Sequence, residues 1–242
     1  MTDRSAARLV FVHGSMDSSA SFRATAALLD DCTVVTYDRR GYGSALELGT
    51  PDLPGHVDDL LKVLDGAPSV VVGHSLGGVI ALSAAMREPA LVRAACVYEP
   101  PMPWLPWWPG PALPARRDAP VAEARAAAEG FLRRHIGEAW DRLPAGRRER
   151  FLRSAPAWAA ELWSAAHDLP PFEPERVPVP VIAAYGTATD ERHARAARLL
   201  AERVPDVRLK TVEAGDHAAH RRRPEEFAGL VRLAVERSEH GR

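Results

Sequence analysis

Short runs of β-branched and aliphatic residues alternate along the chain with longer stretches in which apolar side chains recur every three or four positions. Residues 8–12, 33–37, 69–72, 94–98, 179–185 and 207–212 form the runs. They are short and almost continuously apolar, as strands buried on both faces must be. Residues 18–29, 53–64, 77–87, 191–203 and 224–236 carry the helical spacing, several of them opening on a Ser or Pro suited to a first turn. Strands and helices in strict alternation predict an α/β fold: a doubly wound, mostly parallel sheet of about six strands with helices on both faces.

One stretch interrupts the alternation. Residues 100–178 hold no convincing strand but two helix-like segments, 121–143 and 147–167. They read as a helical cap inserted into a core made of residues 1–99 and 179–242. The entrance to this insertion, PPMPWLPWWPGP, is too rich in proline for regular structure and brings Trp104, Trp107 and Trp108 together. These tryptophans either cement the cap or line a substrate pocket.

Composition narrows the function classes. The 242 residues are enough for one sizeable core, and 46% apolar with 26% charged residues is ordinary for a folded globular protein. With 31 basic against 32 acidic residues and a net charge of -1, no large field of one sign is available to hold a nucleic acid. Cys32 and Cys96 both lie in apolar strand-like runs, so a disulfide framework is not expected. The opening MTDRSAARLVFVHG has no long apolar stretch behind a basic start, and no segment approaches the roughly 18 apolar residues of a membrane span. A cytoplasmic protein without nucleic-acid or membrane partners is expected, acting on a small-molecule substrate; the sequence leaves its oligomeric state open.

The strongest local signal is SVVVGHSLGGVIALSAA, where Gly73, Ser75 and Gly77 make a G-x-S-x-G motif between an apolar strand and a helix. Strand, Gly-flanked Ser and helix in that order is the context of a nucleophile elbow, a turn so tight that the neighbours of the serine must lack side chains. A hydroxyl is a poor nucleophile without a base. The chain supplies one after its last run, in EAGDHAAHRRRPEEF, and His217 just past that strand is the candidate. The first strand ends in FVHGSMDSS, so the backbone N–H groups of Ser15 and of Leu76, the residue after the nucleophile, are the candidate oxyanion hole. His74, beside the nucleophile, joins the three tryptophans as a candidate substrate-facing residue. YDRRGYGS, residues 37–44, reads mainly as scaffold closing a pocket floor. No metal or cofactor is expected: HAAH lacks the intervening Glu and the spacing of the helical zinc motif.

Taken together, HGS near the start, DRRGYGS, GHSLGG, YEPP and GDHAAH before RPEEF resemble the α/β-hydrolase superfamily over nearly the whole chain outside the cap. The resemblance implies ester, amide, lactone or related acyl substrates and a variable cap. It also implies that the first strand here matches the family's third. The chain departs from the family at the acid that orients the histidine. The commonest place is three residues after the Gly that ends the strand, here Gly186, and that position is Thr189. Asp190 follows one residue later. Glu99 competes, ending ACVYE before Pro100 and Pro101, the place used by haloalkane dehalogenase-like members. Asp190 has a second reading as a helix N-cap, Glu99 as a capping or salt-bridged carboxylate, and the choice stays open at this level.

The residues therefore indicate a serine hydrolase, with Ser75 attacking a carbonyl, His217 taking its proton and water releasing an acyl-enzyme. A carbon-carbon bond hydrolase or lyase using the same triad, and a catalytically silent binding module on this fold, are the alternatives.

Overall fold

A computed structural model of the protein describes residues 6–109, 114 and 116–240. In chain order the elements are β1 (Arg8–Val12), α1 (Arg23–Ala26), β2 (Thr33–Thr36), α2 (Leu53–Leu64), β3 (Ser69–His74), α3 (Leu76–Arg87) and β4 (Val92–Tyr98). There follow α4 (Val121–Ile136), α5 (Ala139–Arg142), α6 (Ala145–Arg153), α7 (Ala155–His167), β5 (Val181–Gly186), α8 (Glu191–Arg203), β6 (Val207–Val212), α9 (Ala219–Arg222) and α10 (Pro224–His240). The strands form one six-stranded sheet in the order β2-β1-β3-β4-β5-β6, every pair parallel. The order reverses between β1 and β3, and in sheets of this kind ligands bind at the carboxyl ends of the strands beside such a reversal. The loops carrying Ser15 and Ser75 leave those two strands.

The chain divides into two compact units. The first gathers the chain up to Tyr37, Val57–Pro101 and everything from Phe172 onward. Its sheet buries Leu9, Phe11, Val70, Val72, Cys96, Tyr98, Ile182 and Ala184 against Phe22 and against Phe227 and Val231 of α10. Alternate positions on the strands, Val10, Val12, Val71, Ala95, Val97 and Ala183, are equally buried on the opposite face. The edge strands β2 and β6 carry Thr33, Thr36, Arg208 and Lys210 exposed, the polar trim that keeps a sheet edge from pairing with other chains. Cys32 and Cys96 are free, and burial pushes the Cys96 thiol up to about 12.

The second unit consists of Asp38–His56 and Met102–Pro171. Its centre is a buried ionic cluster on α7. Glu161 accepts hydrogen bonds from Arg39 Nη1 at 2.6 Å and from the Tyr42 hydroxyl at 2.5 Å, and His56 Nε2 lies 3.0 Å from the same carboxylate. Arg39 is 1% and Glu161 0% exposed. DRRGYGS thus has a larger task than the scaffold turn expected of it, while Asp38 accepts from the backbone and hydroxyl of Ser44 within the turn.

Three helical stretches differ from expectation for local reasons. Residues 18–29 wind as a 3-10 turn (Ser19–Phe22) and a single turn of α1, because Phe22 is drawn into the core and the Thr25 hydroxyl bonds the His220 carbonyl at 3.0 Å. Residues 121–143 split at Gly137, which adopts φ 55° and caps α4. Residues 147–167 split at Ser154, because Pro156 in the first turn of α7 has no N–H with which to continue the helix before it.

Candidate active site

The candidate nucleophile sits where β3, buried along its whole length, turns directly into α3. Ser75 is bent to φ 53°, ψ −127°, a conformation that costs a non-glycine residue about 1–3 kcal/mol and persists only where its surroundings enforce it. Here the Ser75 N–H donates to the Tyr98 carbonyl at 2.9 Å and the Ser75 carbonyl accepts from Gly78 N–H at 2.8 Å. The motif's glycine is required by close approach: a Cβ on Gly77 would stand 2.1 Å from the Val12 carbonyl oxygen. Leu76 occupies the first position of α3, where N–H groups point out of the helix with its positive dipole end. From β1, Gly14 comes so near that a Cβ there would stand 2.8 Å from the Ser75 Cβ, and this brings the loop holding Ser15 to the nucleophile. Backbone strain concentrates here. Of the five described non-glycine residues with positive φ, Met16, Ser75, Glu99 and Ala214 all lie just past the carboxyl ends of strands.

The two candidate acids separate. Glu99, 0% exposed at the end of β4, receives the His217 Nδ1–H on Oε2 at 2.6 Å. The same carboxylate accepts the Thr189 hydroxyl on Oε2 at 2.8 Å and the Gly186 N–H on Oε1 at 2.9 Å. Thr189, at the family's usual acid position, therefore donates to the other candidate, Glu99. Asp190 instead caps α8, accepting the Arg192 N–H at 3.2 Å, with its side chain 58% exposed and facing the Arg192 guanidinium. Asp190 thus takes the helix-cap reading, a short polar side chain at the last non-helical residue.

His217 is held by its backbone as well as by its ring. Three successive carbonyls are bonded: Gly215 accepts Ala188 N–H at 2.9 Å, Asp216 accepts the Tyr98 hydroxyl at 2.9 Å, and His217 accepts His74 Nε2–H at 2.7 Å. Both side-chain donors are kept protonated at the atom that matters. Burial, reinforced by the neighbouring His220 and His217, holds His74 well below the usual histidine range, so the ring is neutral and carries its proton on Nε2, facing a group that can only accept. Burial and the adjacent Glu99 charge push the Tyr98 phenol far up. His74 is therefore a support for the His217 loop, buried behind it, and this is a correction to the substrate-facing role expected of it. Asp216 points away to the Ala218 N–H and Arg222.

Sequence reasoning passed over His193, which α8 stacks on the His217 ring at 4.4 Å between centroids, and His220, whose ring lies 3.9 Å from His74. The pattern of α8 offered one hint: His193 is a lone imidazole on a buried face. Trp104, Trp107 and Trp108 belong to the second unit, where the rings of Trp107 and Trp108 lie 5.7 Å apart. Among the described residues no helix is long and apolar enough to cross a membrane.

A six-stranded parallel sheet, a serine on a strained strand-to-helix turn and a His–carboxylate pair that joins the loop after β6 to the end of β4 across β5 define a protein of the α/β-hydrolase fold. The model of the Alpha/beta hydrolase family matches residues 9–230, and the chain belongs to that family. Among curated proteins it is similar to the uncharacterized hydrolase YugF of Bacillus subtilis, 37% identical over 89 residues (34% of this chain, 33% of that protein). It is also similar to the sn-1-specific diacylglycerol lipase ABHD11 of Xenopus laevis, 33% identical over 105 residues (40% of this chain, 34% of that protein). The matched segments span about a third of the length of these relatives. Among solved structures, the enol-lactonase of Burkholderia xenovorans LB400 superposes with TM-score 0.76 at 21% identity, covering 98% of this chain and 94% of that one. A thermophilic esterase from Thermogutta terrifontis gives 0.74 at 17% identity, covering 97% and 91%.

Proposed function

We propose that the chain is a serine hydrolase that cleaves a small to medium apolar carboxylic ester, lactone or related acyl substrate through an acyl-enzyme. The observation that carries this reading is the 2.6 Å bond from His217 Nδ1 to the buried Glu99, with Ser75 on its strained turn at the end of the adjacent strand. The bond holds the proton on Nδ1 and leaves Nε2 as the base. Ser75 Oγ then attacks the carbonyl carbon as His217 takes its proton. The Ser15 and Leu76 N–H groups hold the oxyanion, and His217 returns the proton to the leaving alcohol. Water repeats the sequence to free the acid. That fold relatives are described as an enol-lactonase and an esterase supports an ester-type substrate.

A fluorophosphonate is expected to label the protein once, on Ser75, and Ser75→Ala to abolish labelling while leaving the melting temperature near that of the wild type. Mass-spectrometric labelling of a different serine overturns the assignment.

A preference for apolar acyl chains is expected in a series of p-nitrophenyl esters, each buried methylene adding about 0.8 kcal/mol and so roughly fourfold in kcat/KM until the site is full. Alanine variants of Trp104, Trp107 and Trp108 measured on the same series report whether the second unit sets that preference. A flat series removes the apolar-substrate reading.

A further inference from the structure

Glu99 and His217 have a third neighbour that the proposed hydrolysis does not use. Glu99, His193 and His217 each offer one ligand atom, and the three atoms lie within 4.8 Å of one another. We propose that these residues form an inhibitory site for a divalent transition-metal ion of the zinc type.

The donor set is the first reason. Two imidazole nitrogens and one carboxylate oxygen are ligands that zinc takes, and imidazole selects zinc, copper or nickel over magnesium and calcium, which take oxygen. Preorganisation is the second. Metal-binding carboxylates are themselves held by outer hydrogen bonds, and Glu99 is held on both oxygens by the Gly186 N–H and the Thr189 hydroxyl. Charge is the third: the buried carboxylate is a fixed site for a cation, and His217, its side chain 31% exposed, is the ligand that solvent reaches. Geometry sets the cost. The ligand atoms of a tetrahedral zinc site stand about 3.3 Å apart at bond lengths near 2 Å. His193, stacked on His217 with the rings tilted 27°, must therefore turn its nitrogen out of the stack to close the site. The ion replaces the proton between His217 Nδ1 and Glu99 Oε2, which must part from 2.6 Å to about 3.3 Å to admit it, and that proton is released to water.

A second cluster, Asp17, His74 and His220, has ligand atoms equally near one another, but His74 Nε2 is committed to the His217 carbonyl, and its outermost side chain, Asp17, is 16% exposed against 31% for His217. It is the less accessible of the two. The inhibition rests on the serine-hydrolase reading, because an ion on Nδ1 and Oε2 stops His217 from cycling its proton; the binding does not rest on it.

The test is titration calorimetry of zinc chloride into metal-stripped protein, alongside hydrolysis of p-nitrophenyl acetate with zinc and then with EDTA. One ion per chain is expected in wild type and in Ser75→Ala. Affinity should fall about tenfold or more in His193→Gln and in Glu99→Gln but not in His220→Gln. Hydrolysis should stop with zinc and return with EDTA. Binding that is absent, unchanged in His193→Gln, or lost only in His220→Gln overturns the site, as does bound zinc that leaves hydrolysis unaffected. Wild type that binds zinc as described but hydrolyses no ester even with EDTA present overturns the hydrolase reading and leaves the metal site standing.

Discussion

Glu99→Gln is expected to lower kcat on a good ester substrate by about 10⁴ while the protein stays folded. The amide can keep the Gly186 N–H bonded to its oxygen only by turning its NH₂ toward Thr189 and His217, where the carboxylate now accepts. His217 Nδ1 must then accept, so its proton moves to Nε2, the atom that has to receive the serine proton. Asp190→Asn provides the contrast. Asparagine caps a helix about as well as aspartate, so both rate and stability should change little, and Asp190→Ala should cost about 1 kcal/mol of stability with the rate kept. Steady-state kinetics and thermal melts on the three variants separate the roles, and full activity in Glu99→Gln would remove Glu99 from the mechanism.

Glu161→Gln should be the most damaging single change to stability, by about 3–5 kcal/mol, or roughly 6–20 °C in melting temperature. It strands the Arg39 guanidinium, which is 1% exposed and bonds Glu161 at 2.6 Å. Burial alone would push the Glu161 carboxyl up. The Arg39 charge, with His56, outweighs it and holds the group well below the usual carboxylate range. Its folded pKa is therefore depressed, so its contribution is complete above the unfolded value of about 4.3 and is lost as pH falls toward the folded one. The loss caused by Glu161→Gln should accordingly shrink in acid. Removing both charges together, as Arg39→Met with Glu161→Leu, should recover much of it. A double variant as unstable as Glu161→Gln, measured by chemical denaturation at neutral pH, would show that the cluster contributes through packing instead of charge.

What the sequence made legible follows from how local each signal is. The strands of the sheet, the Ser75 turn and the position of His217 depend on residues a few places apart, and their periodicity or motif is visible directly. Helix ends shifted where one residue decides: Gly137 and Pro156 each broke a stretch that hydrophobic spacing alone would run through. Long-range pairings were hidden. Arg39 and Glu161 are 122 residues apart, Glu99 and His217 118. Nothing near Glu99 distinguishes it from a capping carboxylate until β5 and the His217 loop are folded against it. Thr189 looked like a vacancy because the expected residue type was missing, whereas its hydroxyl had a partner on another strand. Adjacency to Ser75 suggests a substrate-facing His74, but the bond of its Nε2 to the His217 carbonyl, 143 residues away, is not visible in the sequence.

The way the His217 loop is fastened separates the lifetime of activity from the lifetime of the fold. Ser75 and Glu99 are tied to the sheet, Ser75 N–H to the Tyr98 carbonyl and Glu99 N–H to the Ala184 carbonyl, and they part only if the sheet opens. The loop from Gly215 to His217 is held to its surroundings by carbonyl bonds, each contributing on the order of 1 kcal/mol, and by the His217–Glu99 bond. An opening confined to that loop requires far less free energy than opening the sheet. On warming, an opening confined to this loop is expected to lower activity reversibly below the melting transition of the sheet, which activity and circular-dichroism melts of the same sample compare.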